Sequence, residues 1–299
     1  MKILKTIYSL IILLAPFFAN SQDLDKLLET ESQTGKNYET AAFKASRIIN
    51  GHSVAQMKAK HLDFRISHRF GELSGGAYEL FGLDQATIHL SFEYGLKDWL
   101  MLGVGRSNLL KTYDGFIKLR LLRQTAGSNN IPVFLSYMGS TEVITNKWTN
   151  PDRDNQFSSR LAYVHQLLIA RKFNKNLSLQ LSPTLVHKNL TPTANDHNDL
   201  FALGGGGRYK VSNRIAITAE YFYAFRSGEV SVDYPNSLSL GVDIETGGHV
   251  FQLMLTNSQA MREGGFIWGE NNGNWSDGGI HFGFNVSRVF SFDKNRNAY

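Results

Sequence analysis

The sequence predicts an all-β chain closed into an antiparallel transmembrane barrel of about twelve strands. Three observations carry this. First, side chains alternate in twos from residue 61 onward. Leu62, Phe64, Ile66, His68 and Phe70 share one parity, and Asp63, Arg65, Ser67 and Arg69 share the other. The same alternation returns at Ile215, Ile217, Ala219, Tyr221, Tyr223 and Phe225, and at Ile280, Phe282, Phe284 and Val286. A strand points successive side chains to opposite faces, so each run has one apolar and one polar face. Second, an export leader precedes these runs. Third, the runs are even in number and their connections sort by length, as bacterial barrels require.

The leader comes first along the chain. Lys2 and Lys5 form a positive start, and Ile7 to Phe18 is apolar but too short to span a bilayer as a helix. Ala19-Asn20-Ser21 supplies small residues for cleavage, so residues 1–21 read as a signal peptide and Gln22 as the mature start. No later stretch is long and apolar enough for a membrane helix, and mean hydropathy is −0.24. The chain has no cysteine, which excludes disulfides, thiolate metal sites, cysteine nucleophiles and a lipid anchor on cysteine. The net charge of +5, part of which leaves with the leader, is mild, and no dense basic block suggests nucleic acid.

Residues 22–60 precede the barrel. Leu24, Leu27 and Leu28 have helical spacing among acids. Phe43 to Ile49 reads as a strand that ends in a turn at Asn50-Gly51. A thirteenth wall strand would put the termini on opposite sides. The segment is therefore expected either in the lumen or across the periplasmic mouth, or else as a flexible periplasmic tail with a strand added at the rim.

Twelve wall strands follow, near 61–70, 87–94, 99–106, 113–123, 131–139, 158–170, 178–187, 200–210, 214–225, 238–244, 249–257 and 279–290. Frequent glycine (27) and scarce proline (6) suit strands joined by tight turns. One set of connections is short, such as Gly95-Leu96-Lys97-Asp98 and Val211-Ser212-Asn213. The other is mostly long: 71–86, 107–112, 140–157, 188–199, 226–237 and 258–278. Short turns belong on the periplasmic side and long loops outside. Tyr94, Trp99, Tyr221, Tyr223, Phe225, Phe290 and Phe292 fall near strand ends, as interfacial girdles do. The barrel is thus expected over 61–292, with a polar tail at 293–299.

Several stretches also resemble a known family. They are Phe43 to Val54 (FKASRIINGHSV), Leu62 to Gly71 (LDFRISHRFG), Gly75 to Asp84 (GGAYELFGLD), Gly103 to Ser107 (GVGRS) and Lys111 to Gly115 (KTYDG). Together they are similar to the Bacteroidota membrane-bound β-barrel domain of unknown function (DUF5777). The resemblance covers essentially the mature chain and implies an outer-membrane barrel. It implies no activity, substrate or catalytic residue.

Parity turns Asp63, Arg65, Arg69, His89, Glu93, Lys118, Arg120, Arg160, Glu220 and Asp243 inward. A twelve-stranded barrel is narrow, so these charges must pair or meet water. They read either as a charge-selective pore lining or as a neutralised ladder of ion pairs, and the near balance of signs favours the ladder. The apolar, glycine-rich loop 71–86 is expected to fold inward or to pack on the rim. Asp152, Asp154 and Asn155, and Asp196, His197 and Asp199, could hold calcium but lack the rest of an EF-hand loop. Phe266, Trp268 and Trp275 read as exposed aromatics, for sugar stacking or a membrane surface. No hydrolase, zinc-protease or P-loop signature is present, Gly204 to Gly207 lies in a strand, and His165 and Ser159 face outward. No cofactor is indicated and no enzyme is expected. Expected partners are outer-membrane lipid, the barrel-assembly machinery during biogenesis and a small solute. The functional expectation is a narrow channel or transport component, with a filled partner-binding barrel as the alternative and a barrel enzyme a distant third.

Overall fold

A computed structural model describes residues 37–126, 130–191, 196–226, 234–246 and 249–293. The leader, the Leu24/Leu27/Leu28 helix and residues 294–299 of the tail lie outside these.

Twelve antiparallel strands close on themselves. They are β1 (His61–Glu72), β2 (Ala86–Lys97), β3 (Leu100–Ser107), β4 (Tyr113–Leu122), β5 (Phe134–Val143), β6 (Leu161–Lys172), β7 (Leu177–Lys188), β8 (Asp199–Lys210), β9 (Ile215–Phe225), β10 (Ser237–Thr246), β11 (His249–Thr256) and β12 (His281–Ser291). Each pairs with its neighbour in sequence, and β12 pairs with β1 from His281↔Glu72 to Ser291↔His61. Closure leaves no strand edge in the wall, so its backbone groups are satisfied inside the sheet.

The strand boundaries differ modestly from those expected. β5 starts at Phe134 rather than 131, since Pro132 has no N–H to give a ladder. It also runs on to Val143, which brings Glu142 into the wall. β6 starts at Leu161, because Phe157–Arg160 winds into a short 3-10 turn.

Burial alternates along the strands. In β9, Ala216, Thr218, Glu220, Phe222 and Ala224 are buried, while Ile215, Ile217, Tyr221, Tyr223 and Phe225 are exposed. The exposed set belongs to an apolar outer belt that continues through Leu90, Phe92, Leu102, Val104, Leu179, Leu181, Phe201, Leu203, Leu240 and Leu253. No helix among the described residues is long and apolar enough to cross a membrane, and the crossing elements are strands.

One mouth carries the connections 98–99, 123–133, 173–176, 211–214 and 247–248, together with both ends of the barrel chain. The other carries 73–85, 108–112, 144–160, 189–198, 226–236 and 257–280. At the short-turn mouth, Asn37–Tyr38 pairs with Thr125–Ala126 and fixes where the preceding segment enters.

Candidate functional site

The polar face of the wall meets protein, not open space. From Glu39 the chain enters at the short-turn mouth, climbs to Asn50, reverses, and leaves at Lys60 to begin β1. Ala42, Phe43, Ala45, Ser46, Arg47, Ile48, Ile49, Asn50, His52, Ser53 and Val54 are all buried. We call this segment, 39–57, the finger.

The expected strand at Phe43 to Ile49 does not form. Instead an isolated bridge, Arg47↔His52, and the backbone bonds Ile48 N–H to Gly51 O (2.9 Å) and Ser53 N–H to Ser46 O (2.9 Å) frame the reversal at Asn50-Gly51. The reason is closure. A closed wall offers the finger no free edge, so its backbone must find partners among inward side chains instead.

It finds them at several heights. Lys118 Nζ donates to the carbonyls of Ser46 (3.1 Å), Ser53 (3.0 Å) and Ala55 (3.1 Å). The Glu220 carboxylate accepts from the N–H groups of Ile49 (3.2 Å), Asn50 (2.8 Å) and Gly51 (3.2 and 3.3 Å). Gln252 donates to Ile48 O (2.8 Å) and Asn285 to Ile49 O (3.0 Å). Gln180 donates to His52 O (2.7 Å) and accepts from Val54 N–H (2.9 Å). The Asn50 side chain closes the tip. Its Oδ1 accepts from Arg69 (2.7 Å), and its Nδ2 donates to Ser239 (3.1 Å) and Thr256 (3.2 Å).

The remaining inward charges pair laterally. Arg65 donates to Asp63 (3.0 Å) and to Ser46 (2.9 Å), whose hydroxyl donates to Glu93. His89 Nε2 meets Asp114 at 2.8 Å. Asp243 accepts from Gln252 (2.9 Å) and lies 3.8 Å from Arg208. Asp63, Arg65, Arg69, His89, Glu93, Lys118, Glu220 and Asp243 therefore all sit sealed inside. Two other expected lining residues stand elsewhere. Arg120 is half-buried at the short-turn mouth, in a shallow depression with Tyr38, Leu121, Leu122, Arg123 and Ile131. Arg160 precedes β6, so strand parity does not govern it. It donates to the carbonyls of Ile144 and Asn146 (both 2.8 Å) and lies 3.8 Å over the Trp148 ring.

A second insert enters from the opposite mouth. Residues 260–268 of the β11–β12 loop are buried, with a helical turn at Glu263–Phe266. Phe266 and Trp268 are thus not exposed aromatics. Phe266 packs edge-on against Phe222 (5.1 Å), and Lys188 lies over Trp268 (4.5 Å) while bonding Glu270 (2.7 Å). Trp275 is half-buried and donates to Leu238 O (3.2 Å). Glu142 accepts from Arg262 and from Gly264 N–H (2.7 Å). A Cβ on Gly264 would fall 2.7 Å from that carboxylate, so a side chain there would have to displace it. The two inserts meet at Arg47 Nη1–Glu263 Oε1, 3.0 Å, with His52 Nε2 3.9 Å from the same oxygen.

The loop 71–86, expected to turn inward or to pack on the rim, does not turn inward. The lumen is already full, and Tyr78, Leu80, Phe81 and Leu83 stand exposed. In the acidic loops, Asp154 accepts from Gln156 (2.9 Å) and His187 pairs with Asp199 (2.7 Å). No group of three His, Asp or Glu among the described residues converges as a metal site.

Sequence reasoning missed Gln180, Gln252 and Asn285, although all three have inward parity. Charge drew attention away from amides, which unlike a charged group offer the backbone both a donor and an acceptor. It missed Glu142 and Lys188 because both lie just past the expected strand ends. The glycine run has a steric meaning too. A Cβ on Gly204 would lie 2.4 Å from Phe222, and one on Gly206 would lie 2.6 Å from Ile48 Cδ1. Gly206→Val suits a strand but strikes the finger. We expect it to destabilise finger seating by about 1–3 kcal/mol with the barrel still folded, read as earlier thermal exposure of residues 42–54 in hydrogen exchange.

Fold and site together define a membrane β-barrel whose lumen is filled from both ends. The chain belongs to the membrane-bound β-barrel domain family DUF5777, whose model matches residues 43–290. That match takes in most of the finger and all but the last residue of the twelve strands. No curated protein matches the chain. Among solved structures it is similar to the KdgM porin (11% identity, TM-score 0.43, 78% of this chain and 99% of that one). It is also similar to the COG4313 outer membrane channel from Pseudomonas putida F1 (14%, 0.45, 79% and 97%) and to LpxR from Salmonella typhimurium (11%, 0.34, 78% and 100%).

Proposed function

We propose that this protein is an outer-membrane barrel, exported by the leader at 1–21, that is closed and non-conducting as folded and serves to present its long external loops to a partner. One observation carries this reading. The polar wall side chains that would line a pore instead bind the main chain of residues 46–55. Side chains aimed at a backbone recognise a permanent occupant, whatever solute lies outside. Arg65, Arg69 and Lys118, which as a free lining would favour anions, are taken up by the finger and by Asp63.

A second reading rests on a separate observation. The finger is held by side chains and not by a strand ladder, so it could withdraw without opening the wall. The protein would then be a gated channel for a small solute. Planar-bilayer recording separates these. Purified full-length protein is expected to be silent, and a variant lacking residues 39–57 to give discrete conductance steps that shift on Arg65→Gln. Steady conductance by the intact protein would overturn the closed reading.

A further inference from the structure

The β1–β2 loop carries a run of exposed apolar side chains at the long-loop mouth. Its residues Leu73–Gly82 wind into a kinked 3-10 segment, and Leu80 (φ 46°) and Phe81 (φ 54°) both hold left-handed backbone that bulky side chains rarely adopt. This conformation does not bury them. Tyr78 is 96% exposed, Leu80 and Phe81 each 55%, and Leu83 46%. Four large apolar groups within six residues, two of them on strained backbone, form a patch that water alone does not explain.

The loop is also not free-standing. Leu73 N–H bonds Ile280 O (2.8 Å), and Gly82 presses on Gly71 so closely that a Cβ at 82 would fall 2.4 Å from the Gly71 carbonyl oxygen. The base of the loop is therefore fixed against β1 one residue beyond Phe70, which has the outward parity of that strand. On the outward parity of β12, β1 and β2 runs a column of aromatic pairs, interrupted by Ile66. Phe70 stacks on Phe282 (5.8 Å), His68 on Phe284 (5.0 Å) and Phe64 on Phe92 (5.0 Å). This column is part of the lipid-facing belt. Glu79 folds against Gly75 and Glu72 accepts from Ser74 (2.9 Å), while Asp84 stands exposed just past the patch.

We propose that residues 78–83 extend the lipid-facing belt and seat in the leaflet at the long-loop end, as an acyl-chain anchor that fixes this side of the barrel in the membrane. Continuity with the belt selects lipid over a protein partner as the occupant. The inference is independent of whether the lumen conducts.

The absence of native cysteine makes the test clean. Leu80→Cys and Phe81→Cys, each carrying a nitroxide, are reconstituted in phosphatidylethanolamine–phosphatidylglycerol vesicles. Collision with oxygen, which concentrates in lipid, is compared with collision with a water-soluble nickel chelate. Val104→Cys, on the outer belt, marks the lipid limit, and Asp152→Cys, on an exposed loop, marks the aqueous one. Both loop labels are expected to resemble Val104→Cys, with an oxygen-to-nickel ratio several-fold above Asp152→Cys. A ratio like that of Asp152→Cys overturns the proposal. So does shielding from both reagents, which would put a second copy of the chain over the patch. Each labelled protein must keep the wild-type heat-dependent gel shift, so that misfolding is not read as a result.

Discussion

Glu220→Gln is expected to unseat the finger while leaving the barrel intact. The carboxylate now accepts from three successive backbone N–H groups, at Ile49, Asn50 and Gly51, where the chain reverses. A glutamine side chain keeps one acceptor oxygen and turns an NH2 toward donors that need acceptors. Each buried donor left without a partner costs about 1–3 kcal/mol, and bonds to a charged acceptor stand at the upper end. The loss should therefore be about 4 kcal/mol. The wall does not depend on it, because its ladders are independent of the finger. Trypsin reports the outcome directly, since Arg47 is 4% exposed in the seated finger. In detergent-folded Glu220→Gln, cleavage after Arg47 should be far faster than in the wild type, with β1–β12 still resistant. Equal protection in both proteins would mean that the carboxylate does not hold the finger. Lys118→Met should act in the same direction, through the Ser53 and Ala55 carbonyls it would strand, while Ser46 O keeps Ser53 N–H.

The twelve wall strands were legible because period-two alternation is a direct consequence of a wall with lipid on one side and polar groups on the other. His61 to Glu72 shows this, with every other side chain buried from Asp63 to Gly71. Loop sorting was legible for a similar reason, since chain direction alone decides which mouth each connection serves. The interior was only half legible. Parity brings Arg65, Glu93, Lys118 and Glu220 to the lumen, but parity does not say what they meet there. Lys118 and Glu220 meet backbone groups, and every residue has those. A carbonyl such as Ser46 O leaves no mark in the sequence.

Residues 43–49 show the same limit from the other side. Their composition suits a strand, and only the absence of a free edge prevents one. That is a property of the closed whole and not of the segment. In the β11–β12 loop, Phe266 and Trp268 read as surface aromatics because loop position usually implies exposure. Their burial depends on Gly264 and Glu142 meeting across 122 residues of chain, a contact no local pattern announces.

Glu263→Ala is the second large effect expected, and it tests whether the two inserts act as one. Arg47 enters from the short-turn mouth and Glu263 from the long-loop mouth, and both are almost wholly buried where they meet. Removing one member of such a pair strands the other charge in a medium that solvates it poorly, at about 3–5 kcal/mol. Arg47 would keep its bond to Asn50 O (2.7 Å) and the more distant Glu93 (3.9 Å), which soften the loss without replacing it. Replacing both residues, as Arg47→Met with Glu263→Met, removes the stranded charge and should cost much less than the two single changes added together. The cycle is read by hydrogen exchange at residues 42–54 and, separately, at 260–268. If the inserts are coupled, Glu263→Ala exposes the finger as well as its own loop, although the substitution lies on the other insert. An event at the long-loop mouth would then be transmitted through the buried Arg47–Glu263 pair to the segment that enters at the short-turn mouth. If only 260–268 loosens while 42–54 keeps its protection, the two inserts are independent stoppers, and the ion pair merely fills space between them.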